Sequence, residues 1–253
     1  IYYDSDSNLF ITELYQRGIP YSSIDDQGVG NIDFEEGEAY NKTKAMVQEL
    51  RDAHNAKLLT TKGAEGTYAS NNFQEVKTVF TIGSTGGTGY TIPASGAINV
   101  GFAKVPSMTT EESRIKYISQ GPSICFLNNP SISKEQNDEK LKYAWKFVKF
   151  IMSSDVNAEI CTKGSQGYSP VRESCYGTEA YSDFVSKPGD PLAKAAIVTQ
   201  TDIAGNYFNS AVFVGSATLR QQVGGVVTDA MTTDQSLDSI LSSAINTAKL
   251  DIR

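Results

Sequence analysis

The sequence predicts a mixed α/β protein. Amphipathic helical segments alternate with short apolar runs along all 253 residues, and neither an internal repeat nor a low-complexity linker interrupts them. The helical segments carry their own start and stop signals, while the apolar runs are short and bounded by Gly, Pro and Ser. At this length the chain can bury a substantial core, as one large domain or two.

Taken in order, "DSDSNLFITELYQRG" offers Asp4 or Ser5 as an N-cap, apolar Leu9, Phe10 and Leu14, and Gly18 as a stop. "FEEGEAYNKTKAMVQELRDAH" places acidic residues early, then Met46, Val47, Leu50 and Ala53 at helical spacing. "VKTVFTIG", "INVGFAKVP" and "SICFLN" read as buried strands. The clearest helix is "SISKEQNDEKLKYAWKFVKFIMSS", where Ser133 and Gln136 make a capping box. Its apolar stripe is Leu141, Ala144, Trp145, Val148, Ile151 and Met152, so Trp145 is expected to pack in a core rather than serve a ligand. "SATLRQQVGGVVTDAM" and "TTDQSLDSILSSAINTAKL" are two further helices. The last keeps Leu237, Ile240, Leu241, Ala244, Ile245 and Ala248 on one face.

Composition removes several classes of function. The net charge is −7 and no run of Lys or Arg occurs, which argues against a nucleic-acid partner. No apolar segment approaches the roughly 18 residues needed to span a bilayer. The start "IYYDSDSNLF" has no initiator Met, basic n-region or apolar signal core, and reads as the inside of a larger protein. His54 is the only histidine and falls at the polar end of a helix, where a solvated or capping role fits better than catalysis. No nucleophile elbow, zinc-protease or P-loop pattern occurs. Ser131-Ile132-Ser133-Lys134 matches S-x-x-K, but the capping role of Ser133 explains it. No cofactor and no metal site are expected. Cys125, Cys161 and Cys175 match no zinc spacing. Cys161 and Cys175 bracket a loop and could pair if the chain is exported; three unbridged thiols is the other reading.

What remains is a set of polar and aromatic residues at loop positions. "GSTGGTGY" follows an apolar run, and four glycines there allow something to approach the backbone closely. Ser84 and Thr85 supply hydroxyls, and the backbone N–H groups can hold an oxygen-rich ligand. Gly121 lies in "GPS", Tyr168 in a Gly-Tyr-x-Pro turn, and Arg220 near the start of a helix. Each has a plainer alternative: a turn glycine, a loop plug and a surface ion pair.

The order of "DSDSNLFI", "TIGSTGGTGY", "VGFAKVPSM", "SQGPSICFLN", "KYAWKFVKFIMSSDVNAEICTKGSQGYSPVRESCY" and "LRQQV…SLDSILSSAINTA" resembles the extracellular solute-binding proteins of ABC importers, family 1. Members of that group bind carbohydrates and glycerol phosphates. The resemblance implies a periplasmic-binding-protein-like type II two-lobed fold that closes on its ligand about a hinge. It assigns residues 1–116 and 166–253 to the C-terminal lobe and 118–165 to an excursion into the N-terminal lobe, most of which lies outside this sequence. The apolar face of the excursion, Trp145 included, would then lie against that missing part.

By the same resemblance, Ser84, Thr85, Gly121, Tyr168 and Arg220 line the ligand site, with Tyr90 and Phe213 as further aromatic candidates. The ligand is a carbohydrate or related polyol, glycerol phosphate included. The implied partners are the permease subunits of an ABC transporter, with no nucleic acid and no membrane contact beyond a lipid anchor. The implied location is the outer face of a bacterial cell membrane, or the periplasm. The implied function is capture for transport, without catalysis. A hydrolase using a carboxylate pair on a sugar-like substrate, and an adhesion module with no ligand, are the alternatives.

Overall fold

The computed structural model describes residues 1–93, 98–121, 123–164, 167–187, 189–203 and 205–253. Pro122 of the GPS turn, and Ser165 and Gln166 at the expected lobe boundary, lie outside these. The chain opens with β1 (Tyr2–Tyr3), α1 (Asp6–Gln16), β2 (Ser22–Ile24), β3 (Gly30–Ile32) and α2 (Gly37–Asn55). It continues through β4 (Thr60–Thr61), α3 (Lys62–Glu65), α4 (Ala69–Gln74), β5 (Thr81–Ile82), α5 (Thr88–Thr91) and β6 (Tyr117–Ile118). Then follow α6 (Lys134–Ile151), α7 (Ser154–Glu159), α8 (Glu179–Val185), α9 (Pro191–Val198), β7 (Tyr207–Phe208), α10 (Ser216–Thr232) and α11 (Leu237–Lys249).

Two compact units result. One comprises Ile1–Ser84, Thr91–Ser119 and Ile203–Arg253; the other comprises Thr85–Tyr90 and Gln120–Asp202. In the second unit, α7 and α8 share a small core of Ala158, Cys175 and Tyr181.

In the first unit, β1 is the centre of a parallel three-stranded sheet in the order β4-β1-β5. Tyr2 pairs with Thr60 and Thr81, and Tyr3 with Thr61 and Ile82. β2 and β3 form an antiparallel hairpin, and β6 pairs in parallel with β7. The core lies where α1, α2, α10 and α11 meet. Phe10, Leu14, Met46, Val47, Val223, Val227 and Leu241 are buried together there. Several helices start where a side chain satisfies an amide that the first turn leaves without a carbonyl. Ser5, not Asp4, caps α1 by accepting the Asn8 N–H, and Ser236 caps α11 by accepting the Ser239 N–H. Gly18, at φ +67°, ends the first helical segment. All six residues of the α11 stripe are buried. His54 Nδ1 lies 3.1 Å from the Leu59 carbonyl oxygen and ties the end of α2 to the approach to β4.

The second unit holds α6 to α9. Ser133 and Gln136 form the capping box of α6. From within α7, Asn157 Oδ1 accepts the Val171 N–H at 3.0 Å and the Cys175 thiol at 3.5 Å. Cys161 and Cys175 are buried as thiols and are not joined to each other; Cys125 is an exposed thiol. Burial, and secondarily the nearby Cys175 sulfur, pushes the Cys161 thiol up to about 11.

Three expectations are corrected. Of "VKTVFTIG" only Thr81 and Ile82 form a strand, while Val79 and Phe80 are 80% and 64% exposed. "INVGFAKVP" and "SICFLN" are not strands at all. A short apolar run becomes a strand only when a neighbour takes its backbone hydrogen bonds, and the described residues supply none to these two. Trp145 is 53% exposed rather than packed in a core; its ring meets Phe126 edge-on at 6.1 Å between centroids. α6 has no fully buried side chain among the described residues, so its apolar stripe is only partly covered there.

Candidate functional site

All three strands of the parallel sheet end at the same edge, and that edge carries polar loops. β1 runs into Asp4–Ser7, β4 into Lys62 and Gly63, and β5 into Gly83 and Ser84. Carboxyl ends of parallel strands are where open α/β sheets bind ligands, because the loops there converge while the strands stay fixed. α10 crosses this edge. The ends of β1 and β4 and one face of α10 line a cleft of about 270 Å³, whose walls are Asp4–Ser7, Lys62, Arg220, Gln221, Gly224 and Thr228.

The cleft is braced by Asp6. Its Oδ1 accepts the Thr61 hydroxyl at 2.5 Å and the Thr228 hydroxyl at 3.2 Å, and its Oδ2 accepts the Gly63 N–H at 3.0 Å. One carboxylate thereby joins α1, the β4–α3 junction and α10. Glycine is required at position 63, because a Cβ there would collide with the Thr228 hydroxyl and stand 2.7 Å from Asp6 Oδ1. Asp4 Oδ1 accepts the Ala69 N–H at 2.9 Å. Arg220 donates through Nη2 to Asn8 Oδ1, which fixes the guanidinium across the top of α1. Lys62 holds its ammonium 3.5 Å above the Tyr68 ring centroid.

A second locus lies within the other unit, where Thr85–Tyr90 meets the Gly-Tyr-x-Pro turn. A Cβ on Gly86 would stand 2.8 Å from Tyr168 Cε1 and Cζ, so the ring rests on the glycine backbone. Gly167, at φ +118°, approaches Thr85 so closely that a Cβ would collide with its carbonyl oxygen. The same oxygen accepts the Thr88 hydroxyl at 2.7 Å. What comes close to the glycine-rich stretch is thus a tyrosine ring of the protein itself. Tyr168 remains 56% exposed, so one side of the ring is held and the rest is presented to solvent.

The sequence-derived candidates are therefore distributed. Thr85 and Tyr168 come together, with Tyr90 exposed on α5 in the same segment. Ser84 and Arg220 belong to the first unit. Gly121 is exposed, with nothing within 4 Å of where its Cβ would be. Phe213 lies over Gly30 and packs against the main core. Lys62, Asp6, Gln221 and Thr228 were not singled out in the sequence. The one available signal was "TTKG", a capping threonine followed by a glycine after a β-branched pair. Among the described residues no group of three or more His, Cys, Asp or Glu could hold a metal ion. Among the described residues no helix is long and apolar enough to cross a membrane.

A family model described as bacterial extracellular solute-binding protein matches residues 1–189. No curated protein matches the chain. Among solved structures, the maltose/maltodextrin-binding domain MalE from Bdellovibrio bacteriovorus, bound to maltotriose, superposes with a TM-score of 0.59 at 16% identity. The match covers 98% of this chain and 59% of that one, so this chain spans about three fifths of that protein's length. The α/β fold is that of the two-lobed maltose-binding type, of which the chain supplies a part.

Proposed function

Because the chain belongs to the bacterial extracellular solute-binding proteins, we propose that it is part of the substrate-binding component of an ABC importer. It captures a carbohydrate or related polyol outside the cytoplasm and delivers it to the permease subunits. The observation that carries this reading is the polar cleft at the carboxyl edge of the β4-β1-β5 sheet, with Arg220 held across it by Asn8. A hydroxylated ligand needs donors and acceptors in fixed directions, and this edge supplies both from the ends of β1 and β4 and from α10. Within the other unit, Tyr168 on its glycine bed is an aromatic face of the kind that covers the apolar side of a sugar ring. The family match and the MalE domain bound to maltotriose support this choice of ligand class.

The test is ligand-dependent stabilisation. A ligand that binds only the folded chain raises its melting temperature with concentration. Neutral mono- and oligosaccharides and glycerol 3-phosphate are the probes. Concentration-dependent stabilisation by a member of the set is the expected result, and none from any member would overturn the reading.

A further inference from the structure

The charges around the cleft go further than its position. Its lining holds two carboxylates, Asp4 and Asp6, and two cations, Lys62 and Arg220; Ser5, Ser7, Gln221 and Thr228 are neutral, and no large apolar side chain contributes. Two of the four charges are already engaged. Asp6 is saturated by Thr61, Thr228 and Gly63, and Arg220 spends one donor on Asn8. The other two face the cleft with capacity left. Asp4 uses Oδ1 for Ala69, while its Oδ2 makes no hydrogen bond among the described residues. Lys62 is poised over Tyr68 with no carboxylate within ion-pair distance among the described residues, so its N–H donors remain for a ligand.

We propose that this cleft is a subsite for a neutral polyhydroxylated ligand, in which Asp4 accepts from and Lys62 donates to ligand hydroxyls. Gln221 and Arg220 add donors from α10. The inference rests on the solute-binding reading and decides between its two ligand chemistries. A sugar hydroxyl both donates and accepts, so a wall carrying an open acceptor beside an open donor satisfies it. A phosphate only accepts, and it would carry its negative charge into a cleft that already holds two carboxylates. Like charges at such separation oppose binding, and the two cations are balanced before the anion arrives. A site built for phosphate would instead show an excess of cations.

The experiment is an NMR titration of the isotope-labelled chain with neutral mono- and oligosaccharides, maltotriose among them, and separately with glycerol 3-phosphate. The wild type is compared with Lys62→Met, which keeps the stem over Tyr68 and removes the ammonium. A dispersed spectrum establishes that the variant is folded. The expected result is that a neutral sugar shifts the amides of Gly63, Gly83 and Gly224, and that Lys62→Met weakens this binding about tenfold, as for a lost hydrogen bond to a charged group. Neutral-sugar shifts confined to other residues, or an affinity indifferent to Lys62→Met, would overturn the subsite and leave the solute-binding reading standing. Tighter binding of glycerol 3-phosphate at these amides would overturn the neutral-ligand assignment. No response to any probe would contradict the solute-binding reading itself, and the subsite with it.

Discussion

The ring of Tyr168 rests on the backbone of Gly86, close enough that a methyl group at position 86 would stand 2.8 Å from ring atoms Cε1 and Cζ. Two sequence features eighty-two positions apart thus explain each other. The glycine-rich stretch is bare because an aromatic lies on it, and the aromatic has a defined pose because the stretch is bare.

Gly86→Ala should therefore displace the ring while leaving the fold intact, since Tyr168 is half exposed and can swing outward. If the ring covers a sugar face, carbohydrate binding weakens by about 0.5–1.5 kcal/mol, the worth of an aromatic contact. Calorimetric titration of the variant against wild type measures it. An unchanged affinity would make Tyr168 a loop plug and nothing more.

Gly63→Ala acts on stability instead. The added methyl would overlap the Thr228 hydroxyl and press on Asp6, and neither can retreat without breaking the bonds that join α1, β4 and α10. Overpacking at such a site costs about 1–3 kcal/mol. Urea unfolding should show a lower midpoint with an unchanged slope, whereas Gly87→Ala, whose added Cβ would meet no atom within 4 Å among the described residues, should cost far less. Equal midpoints for the two variants would count against the Asp6 brace.

The thiols give a count. With Cys161 and Cys175 unbridged, denatured protein should titrate three thiols with a chromogenic disulfide reagent. In the native state Cys125 should react first, because it is exposed. Cys161 should react slowly, since burial raises its pKa to about 11 and leaves little thiolate at neutral pH. A count of one in denaturant would show a disulfide instead.

Alkaline pH should destabilise the fold. Burial pushes Tyr2, Tyr3 and Tyr181 up to about 12, and around Tyr2 the carboxylates of Glu65, Asp4 and Asp6 add to the effect. With Cys161 raised likewise, these groups ionise in the unfolded chain from their ordinary values of 9.0 and 10.0 while the folded chain keeps its protons. The native state then binds more protons than the unfolded one, so stability falls as pH rises. The decline should begin near pH 9 and continue toward 12, with a level profile just below it as far as these groups are concerned. Urea midpoints at several pH values across this window test the sign, and a midpoint that climbs with pH would contradict it.

Much of the helical architecture was readable because caps and stripes are local signals. The Ser133–Gln136 box and the six buried positions of α11 stand where the sequence puts them. The strands were not, because pairing is a long-range property. Thr60–Thr61 beside Tyr2–Tyr3 involves two residues each and no apolar alternation. Trp145 shows the same limit from the other side: its spacing marks an apolar stripe, but spacing cannot say whether anything covers the stripe. At the candidate site, Arg220 and Tyr168 were visible as polar residues with special neighbours. Lys62 and Asp6 were not, since only the crossover between strands brings residues 6, 62 and 228 to one edge.

The measurement that bears most directly on the cleft as the ligand site is calorimetric titration of the Arg220→Ala variant with the neutral sugar that the wild-type chain binds. Circular dichroism first confirms that the variant is folded at the working temperature, because Asn8 loses its donor. The account predicts a loss of about 1.5 kcal/mol, the worth of one hydrogen bond between a charged donor and a neutral hydroxyl, with Arg220→Lys recovering only part of it. A loss of about 2–5 kcal/mol, as for a buried anion deprived of its partner, would point to phosphate instead. An affinity equal to wild type in the alanine variant would remove Arg220 from the site and contradict the assignment of this cleft.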